Sequence, residues 1–488
     1  MATTGHSQGY RRIGQADHPR RLAHRVLTEV LREGAFANIA LPRALRQARA
    51  EGLLDARDAA FVSELVYGTL RGLGRLDWTL ARHVSRPLAE LDPTVVDLLR
   101  MGAHQVLDMR VPDHAAVSAT VDLARECVTD GPAKFVNAVL RSLTREDEST
   151  RVADMAAIEA RFARLAVKHS HPQWMVEAFE EALRRHSGAA DELEDLLAAD
   201  NEAPLVTLVA RPGLVDVADL ADEAADLLGT RVAPGALSEY AVLMESGDPA
   251  SLPSVRAGLA GAQDEGSQVA AMIAAGAPVE GQDRLWLDLC AGPGGKAALL
   301  AALAAPKGAS LVANEVHPHR ARLVERATRA LDNVNVICAD GRRLGGPGTA
   351  WPLGSFDRVV VDAPCSGMGS MRRRPESRWR RRPEDLDDLL ALQADLLRRG
   401  LALTRPGGVL TYVTCSPHVA ETLDQVAALL DEGGTQLLDT AAIARTVAVD
   451  EAPEIVGTEG PGGVGTTVQL WEHRHGSDLM FIACLRRR

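Results

Sequence analysis

Residues 285–296 read LWLDLCAGPGGK, a short apolar run followed by an acidic residue, a glycine-rich turn and a lysine. The apolar run is typical of a buried strand, and the Ala- and Leu-rich residues after Lys296 indicate a helix. Small residues in such a turn let a ligand approach the backbone closely, and the start of the helix favours negative charge. The turn is neither a P-loop, because Ala297 follows Lys296, nor a G-x-G-x-x-G motif.

Alternating strand and helix patterns surround this turn. Further buried strands are predicted at 310–313, 334–338, 357–361 and 408–413, and a long helix over 383–403 precedes the last of them. Strands separated by helical runs predict a parallel sheet with covering helices. We therefore expect an α/β, Rossmann-like domain over residues 265–488, with its ligands at the carboxyl ends of the strands.

Acidic residues follow the second and third of these strands. Glu315 comes about 20 residues after the glycine-rich turn, where a carboxylate can accept both hydroxyls of a ribose. Asp340 follows the third strand, where it can meet an adenine amino group. Their regular placement at successive strand ends predicts a nucleoside-containing cofactor in this cleft.

Two cysteines end the fourth and fifth strands. Residues 362–367 read DAPCSG and residues 414–417 read TCSP, so each cysteine lies in a turn that contains proline. A lone cysteine is most often a small buried hydrophobe, but two beside a cofactor cleft favour thiolate chemistry. A thiolate that adds to carbon 6 of cytosine makes carbon 5 reactive toward an electrophilic methyl group.

A basic segment follows the first of these turns. Residues 372–382 read RRRPESRWRRR, with acidic residues directly afterwards. Arginine pairs with phosphate in bidentate fashion, and both arginine and tryptophan stack on bases. The segment is predicted to be a flexible basic arm that binds RNA through Arg372, Arg373, Arg374, Arg378, Trp379 and Arg380.

The first third of the chain has a different pattern. Apolar residues recur at helical spacing from 18 to 147, with a break at Gly131–Pro132, so this region is predicted to be all-α. Residues 148–264 are predicted to be a connector or small α+β subdomain, with helices over 155–165 and 174–193 and a strand over 204–209.

Composition limits the classes of protein that remain. Six cysteines without a C-x-x-C pair indicate neither a zinc site nor a disulfide framework. No run of 18 apolar residues suggests a membrane span, and Met1 to Asp17 lacks the apolar core of a signal peptide. A cytoplasmic protein without a metal is expected, and its net charge of −12 limits RNA binding to a local basic surface.

Taken together, these motifs resemble a known family. Residues 290–296 (CAGPGGK), 362–367 (DAPCSG) and 414–416 (TCS) resemble the Sun family of RNA cytosine-5 methyltransferases. Residues 373–385 and 263–268 (QDEGSQ) resemble its bacterial small-subunit rRNA methyltransferase B branch. The helical region resembles a NusB-like RNA-binding domain, most clearly at 64–68 (ELVYG) and 135–141 (FVNAVLR).

The resemblance implies a role for each motif. Cys415 becomes the nucleophile, Cys365 helps to eject the product, and Asp362 contacts the cytosine ring with Lys296 nearby. S-adenosylmethionine is the implied cofactor, in a pocket lined by Cys290, Ala291, Gly292, Pro293, Gly294, Gly295, Lys296, Glu315, Arg320, Asp340 and Asp362. The sequence departs from the family pattern at Glu315, where Asp is frequent, and at His418 and Val419, where polar residues are frequent.

The implied partner is RNA, most specifically 16S rRNA, bound by a monomer. A tRNA or 23S rRNA substrate stays open, because only the NusB-like domain favours the small subunit. DNA methylation would make Cys365 the nucleophile, and the additional Cys415 argues against it. A non-catalytic RNA-binding or ribosome-assembly factor is the alternative of another class.

Overall fold

The computed structural model describes residues 17–346, 348 and 350–488, so the predicted polar N-terminus before Asp17 lies outside the described residues. Contacts between residues divide the chain into two compact units. The helical unit contains the described residues up to Gln173 together with Arg374–Trp379, and the sheet unit contains Trp174–Arg373 and Arg380–Arg488. The predicted domain boundaries at 147 and 264 stay predictions.

The helical unit is built from amphipathic helices around one apolar core. The first helix, α1 (His18–Glu33), is capped by the Asp17 carboxylate, buries one face that includes Leu22, Val26 and Val30, and ends at Gly34 with a φ of 78°. The helices that follow are α2 (Ala37–Ala50), α3 (Ala56–Arg71), α4 (Leu73–Ala81), α5 (Pro93–Leu107), α6 (Asp113–Cys127), α7 (Asp130–Leu143), α8 (Glu148–Ala156) and α9 (Arg161–Lys168). Described residues 18–147 contain no strand, which confirms the all-α prediction.

Several predicted helix limits are wrong. Gly131–Pro132 is not a break, because α7 begins at Asp130 and a proline in the first turn has no backbone hydrogen bond to lose. The helix predicted over 155–165 is two helices, α8 and α9. The helix predicted over 174–193 ends at Ser187, because Gly188 adopts a φ of 70°.

The sheet unit starts with a small antiparallel sheet in strand order β2-β3-β1-β4. Its elements are α10 (Gln173–Ser187), α11 (Leu193–Ala199), β1 (Val206–Ala210), α12 (Val217–Leu228), β2 (Val232–Pro234), β3 (Ala241–Met244), α13 (Pro253–Ala257) and β4 (Ala260–Ala262).

A larger, parallel-rich sheet carries the predicted cleft. Its elements are α14 (Glu265–Gly276), β5 (Leu285–Asp288), α15 (Gly295–Ala304), β6 (Ser310–Asn314), α16 (Pro318–Thr328), β7 (Val334–Ile337), β8 (Phe356–Asp362), α17 (Ser377–Arg380), α18 (Asp385–Leu403), β9 (Thr404–Thr414), α19 (Leu423–Asp431), β10 (Thr435–Leu437), α20 (Thr440–Val447), β11 (Gly457–Glu459), β12 (Thr466–Leu470), α21 (Glu472–His475) and β13 (Met480–Arg487).

The order of this sheet confirms the α/β, Rossmann-like prediction. The strands run β11-β12-β13-β9-β8-β5-β6-β7, and β10 pairs with β13. Strands β7, β6, β5, β8 and β9 are mutually parallel, whereas β13 is antiparallel to β9. The chain order reverses between β5 and β8, so the ligand cleft is expected outside the carboxyl ends of these two strands.

Among the described residues, we find no helix with both the length and the apolar character that crossing a membrane requires.

Candidate active site

The glycine-rich turn joins β5 to α15 at the carboxyl edge of the sheet. Gly294 adopts a φ of 110°, a backbone conformation that L side chains rarely adopt. At Gly292, a Cβ atom would lie 2.0 Å from the Glu315 Oε2 atom, so only glycine allows this approach. The turn is therefore a tight one, in which the glycines let Glu315 and the neighbouring helix pack directly against the backbone.

Asp288 ends β5 beneath this turn, and its side chain is fully buried. Its Oδ1 atom accepts a hydrogen bond from the Cys290 amide at 3.3 Å, while Oδ2 has no hydrogen-bond partner among the residues that the structure describes. Burial, and then the negative charge of Asp362, raise the pKa of Asp288 to about 7.

Glu315 and Arg320 hold the turn from the side of β6. The Glu315 carboxylate is buried and accepts a hydrogen bond from the His317 amide at 2.9 Å. Arg320 donates to the Gly292 carbonyl at 2.6 Å, and its Nε atom lies 3.4 Å from Glu315 Oε2. Arg320 therefore ties the turn to the acidic residue that follows β6.

Asp340 lies three residues beyond β7 and caps a short 3-10 turn. It accepts a hydrogen bond from the Arg342 amide at 3.0 Å and pairs with the Arg342 guanidinium at 2.8 Å. This hydrogen bonding lowers the pKa of Asp340.

These groups fit S-adenosylmethionine. The carboxylates of Glu315 and Asp340, which follow successive strands, are acceptors suited to ribose hydroxyls and an adenine amino group. The Asp288 Oδ2 atom offers a further buried acceptor that lacks a partner in the described structure.

The two cysteine turns meet at the ends of neighbouring strands, since β8 and β9 pair in parallel. Cys365 Sγ lies 3.4 Å from Cys415 Sγ. The hydrogen bond with Cys415, and then burial, raise the pKa of the Cys365 thiol well above its usual value. Cys415 is half-buried, whereas Cys365 is buried.

Lys296 and Asp362 form the polar side of the same site. Lys296 Nζ donates to Asp362 Oδ2 at 3.0 Å. Burial alone lowers the pKa of Lys296, but the charges of Asp362, Cys415 and Asp288 outweigh it and raise this pKa. Within the described residues, no group of three or more His, Cys, Asp or Glu side chains is arranged to hold a metal ion.

Glu421 is a residue that sequence analysis does not single out. It lies in the short turn Val419–Glu421 after Cys415, and its side chain is fully buried. The sequence offers one signal, a carboxylate six residues after a candidate nucleophile, in the same stretch where His418 and Val419 depart from the family pattern.

Three arginines of the predicted flexible basic arm are buried or held in ion pairs, and their contact with RNA stays a prediction. Arg372 is buried near the carboxylates of Glu472 and Asp478, at 3.4 and 3.5 Å. Arg373 pairs with Asp264 at 2.7 Å and with Asp478 at 3.1 Å. A buried guanidinium such as that of Arg372 needs such partners, and the two aspartates hold the half-buried side chain of Arg373 in place.

The middle of this segment is built into the helical unit. Arg378 is fully buried and donates to the Ser170 carbonyl at 3.3 Å. Glu376 Oε1 accepts the Ala37 amide at 2.9 Å. The exposed candidates are Arg374 and Trp379, and Arg380 is half-buried, so RNA contact by these three residues stays a prediction.

Comparisons with known proteins agree with this architecture. Residues 274–486 match the family model described as 16S rRNA methyltransferase RsmB/F, and residues 17–145 match the NusB family. Rv1407 of Mycobacterium tuberculosis (strain ATCC 25618 / H37Rv), a relative named only by class as a methyltransferase, is 45% identical over 99% of both chains.

More distant relatives carry a more specific name. The ribosomal RNA small subunit methyltransferase B of Cronobacter sakazakii (strain ATCC BAA-894) is 31% identical over 91% of this chain and 96% of its own. The crystal structure of PH0851 has the same fold, with a TM-score of 0.75 and 20% identity over 96% of this chain and 97% of that one.

Proposed function

The chain belongs to the 16S rRNA methyltransferase RsmB/F family, and from this membership we propose that it transfers a methyl group from S-adenosylmethionine to carbon 5 of a cytosine in 16S rRNA. One observation carries the proposal: the Cys365 and Cys415 sulfur atoms lie 3.4 Å apart, beside the Lys296–Asp362 pair. Two adjacent thiols at a cofactor cleft suit a covalent route, in which one attacks and the other assists release.

In this reaction, the Cys415 thiolate forms a bond to carbon 6 of a cytosine that has turned out of its stack. The electron pair of the former carbon 5–carbon 6 double bond becomes available at carbon 5. The glycine-rich turn, Glu315 and Asp340 would hold S-adenosylmethionine, which would supply the methyl group that carbon 5 receives and leave as S-adenosylhomocysteine. Asp362, oriented by Lys296, contacts the polar edge of the base.

Release reverses the addition. A base removes the proton from carbon 5, the double bond re-forms, and the carbon 6–sulfur bond returns its electron pair to Cys415. The high pKa of Cys365 keeps its thiol protonated, so Cys365 can donate a hydrogen bond to the departing Cys415 sulfur. We further propose that the enzyme acts as a monomer without a metal in the cytoplasm, where ribosomal RNA is made.

The first experiment compares the masses of 16S rRNA fragments from cells with and without the gene. One fragment should lose a single methyl group that maps to a cytosine. If no 16S fragment changes, the substrate assignment is wrong, and the same comparison on tRNA and 23S rRNA identifies the alternative.

A pair of variants tests the chemistry. Cys415→Ala should abolish methyl transfer, whereas Cys365→Ala should accumulate a covalent protein–RNA adduct visible on a denaturing gel. Methyl transfer by Cys415→Ala would contradict the proposal. Absence of S-adenosylmethionine binding by calorimetry would favour a non-catalytic assembly factor.

A further inference from the structure

A buried carboxylate lies behind the two cysteine turns. Glu421 Oε1 accepts hydrogen bonds from the Ser366 amide at 2.7 Å and from Gln393 Nε2 at 3.1 Å. Its Oε2 atom accepts from Ser366 Oγ at 2.5 Å and from Ser416 Oγ at 2.6 Å. The side chain is fully buried, so these donors take the place of water around the carboxylate.

The two serines directly follow the two cysteines. Ser366 is the residue after Cys365, and Ser416 is the residue after Cys415. Their hydroxyl oxygens lie 3.0 Å apart, which parallels the 3.4 Å between the two sulfur atoms. A single carboxylate, that of Glu421, therefore accepts hydrogen bonds from both cysteine turns.

The backbone of Glu421 is also fixed. The Tyr412 hydroxyl donates to the Glu421 carbonyl at 2.6 Å, and Tyr412 is a buried residue of β9, the strand that leads to Cys415. The carboxylate is thus anchored to β9 and bonded to the turn that follows β8.

We propose that Glu421 is a positioning residue that holds the Cys365 turn against the Cys415 turn and so fixes the Cys415 sulfur for attack. The inference rests on the proposed two-cysteine reaction. The Glu421 carboxylate bonds to serine and glutamine groups and to a backbone amide, and it acts through these residues on the nucleophile.

Removal of the carboxylate has a specific expected effect. Glu421→Ala leaves the Ser366 and Gln393 N–H groups without this acceptor and releases the Cys365 turn. Because misplacement of reacting groups by about 1 Å can cost about 100-fold in rate, we expect kcat to fall about 100-fold. The KM for S-adenosylmethionine should stay unchanged, because the turn at 290–296 is not bonded to Glu421.

Glu421→Gln provides the conservative comparison. A glutamine can turn its oxygen toward the Ser366 and Gln393 N–H groups and donate its amide hydrogens to the two serine hydroxyls, which also accept hydrogen bonds. We therefore expect Gln to restore most of the activity lost with Ala. Glu432→Ala, which removes an exposed carboxylate paired only with Arg398 at 2.7 Å among the described ion pairs, should behave as the unchanged enzyme.

The decisive measurement is the rate of adduct formation in the Cys365→Ala background, with RNA isolated from cells that lack the gene. Adding Glu421→Ala should slow this rate about 100-fold, and adding Glu421→Gln should slow it far less. If Glu421→Ala does not fold, the Ser366→Ala and Ser416→Ala double variant replaces it and should slow adduct formation about tenfold through loss of two hydrogen bonds. An unchanged adduct rate in the folded variant would overturn the positioning role and leave the proposed function intact, whereas activity of Cys415→Ala would remove the function itself.

Discussion

At the scale of single residues, the buried carboxyl group of Asp288 gives the fold a pH dependence. In the unfolded chain this group loses its proton near pH 4, but in the folded protein its pKa is raised to about 7 by burial and by Asp362. The folded state therefore holds more protons between about pH 4 and 7, and this contribution to stability is lost as pH rises through that window. Asp288→Asn should remove this fall in stability with rising pH. The measurement is the thermal unfolding temperature of both proteins without cofactor at pH 4, 5.5 and 7.

Asp340→Asn is the matched control for this measurement. The hydrogen bond and charge of Arg342 lower the pKa of Asp340. The stability that Asp340 contributes is therefore fully present above the pKa of an unfolded aspartate, and it is lost only as the pH falls below that pKa. Asp340→Asn should leave the slope between pH 4 and 7 unchanged. An identical slope for Asp288→Asn and the unchanged protein would show that Asp288 is ionised when folded.

Single residues also show where sequence reasoning reaches its limit. The positions of Cys365, Cys415 and Glu315 were predictable because each lies within three residues of the end of a strand that an apolar run locates. The role of Glu421 depends on bonds to Ser366 and Gln393, which lie 55 and 28 positions away along the chain. No local pattern encodes a contact of that separation, so the residue emerges only from the folded arrangement.

At the scale of elements, the turn between β5 and α15 depends on a glycine for two separate reasons. Gly294 has a φ of 110°, and a Cβ atom there would lie 2.7 Å from Ala327 Cβ and 2.9 Å from Val324 Cα. Overpacking of this kind costs about 1–3 kcal/mol. Gly294→Ala should destabilise the fold by about that amount and weaken S-adenosylmethionine binding, as measured by denaturant unfolding and calorimetry.

Gly308→Ala separates backbone strain from crowding. Gly308 follows α15 with a φ of 63°, but its nearest neighbour to an added Cβ is the Arg284 guanidinium at 3.8 Å. This variant should cost about 1 kcal/mol and leave cofactor binding unchanged. Equal cofactor affinity for the two variants would mean that the conformation of the turn does not control the pocket.

Elements in the sheet were easier to predict than those before it. The parallel strands of the large sheet contain apolar runs between helices, and their predicted positions agree with β5 to β9 within a few residues. The antiparallel strands β10 to β13 of the same sheet were not predicted. The predicted break at Gly131–Pro132 failed because proline is compatible with the first turn of a helix, so its position relative to the helix start decides its effect.

At the scale of the whole molecule, Glu376 completes a unit whose other described residues lie between Asp17 and Gln173, apart from its neighbours in Arg374–Trp379. Its Oε1 atom accepts the buried Ala37 amide at the start of α2, while Oε2 has no hydrogen-bond partner among the described residues. Glu376→Ala should leave this amide without its acceptor at a cost of about 1–3 kcal/mol. Hydrogen exchange at the start of α2 should become faster.

Glu376→Gln keeps the Oε1 acceptor and should retain the protection of Ala37. If exchange at Ala37 stays slow in Glu376→Ala as well, the contact does not hold the start of α2. Trp379 makes a second contact with the helical unit, because its ring packs so closely on Gly74 that a Cβ atom added there would lie 2.5 Å from it. Hydrogen exchange of Trp379→Ala tests this contact in the same way.

The basic segment illustrates why composition alone misleads at this scale. Seven arginines within residues 372–382 indicate a nucleic-acid surface when only local charge is considered. The carboxylates that neutralise Arg373 come from Asp264 and Asp478, more than 100 residues away in either direction. Arg372 and Arg378 are buried and Arg373 is half-buried in ion pairs, so local charge alone overstates the exposed basic surface of this segment.

The assignment of Arg374–Trp379 to the helical unit has a consequence for how the protein is made. The ribosome synthesises residues up to 173 first, but Arg374–Trp379, the six residues that complete the packing of this unit, follow about 200 positions later. At about 5–20 residues per second, the early part of the chain waits about 10–40 s for Glu376 and Trp379. During translation, the nascent helices therefore emerge before residues 374–379 have been made, which links completion of the first unit to synthesis of the second.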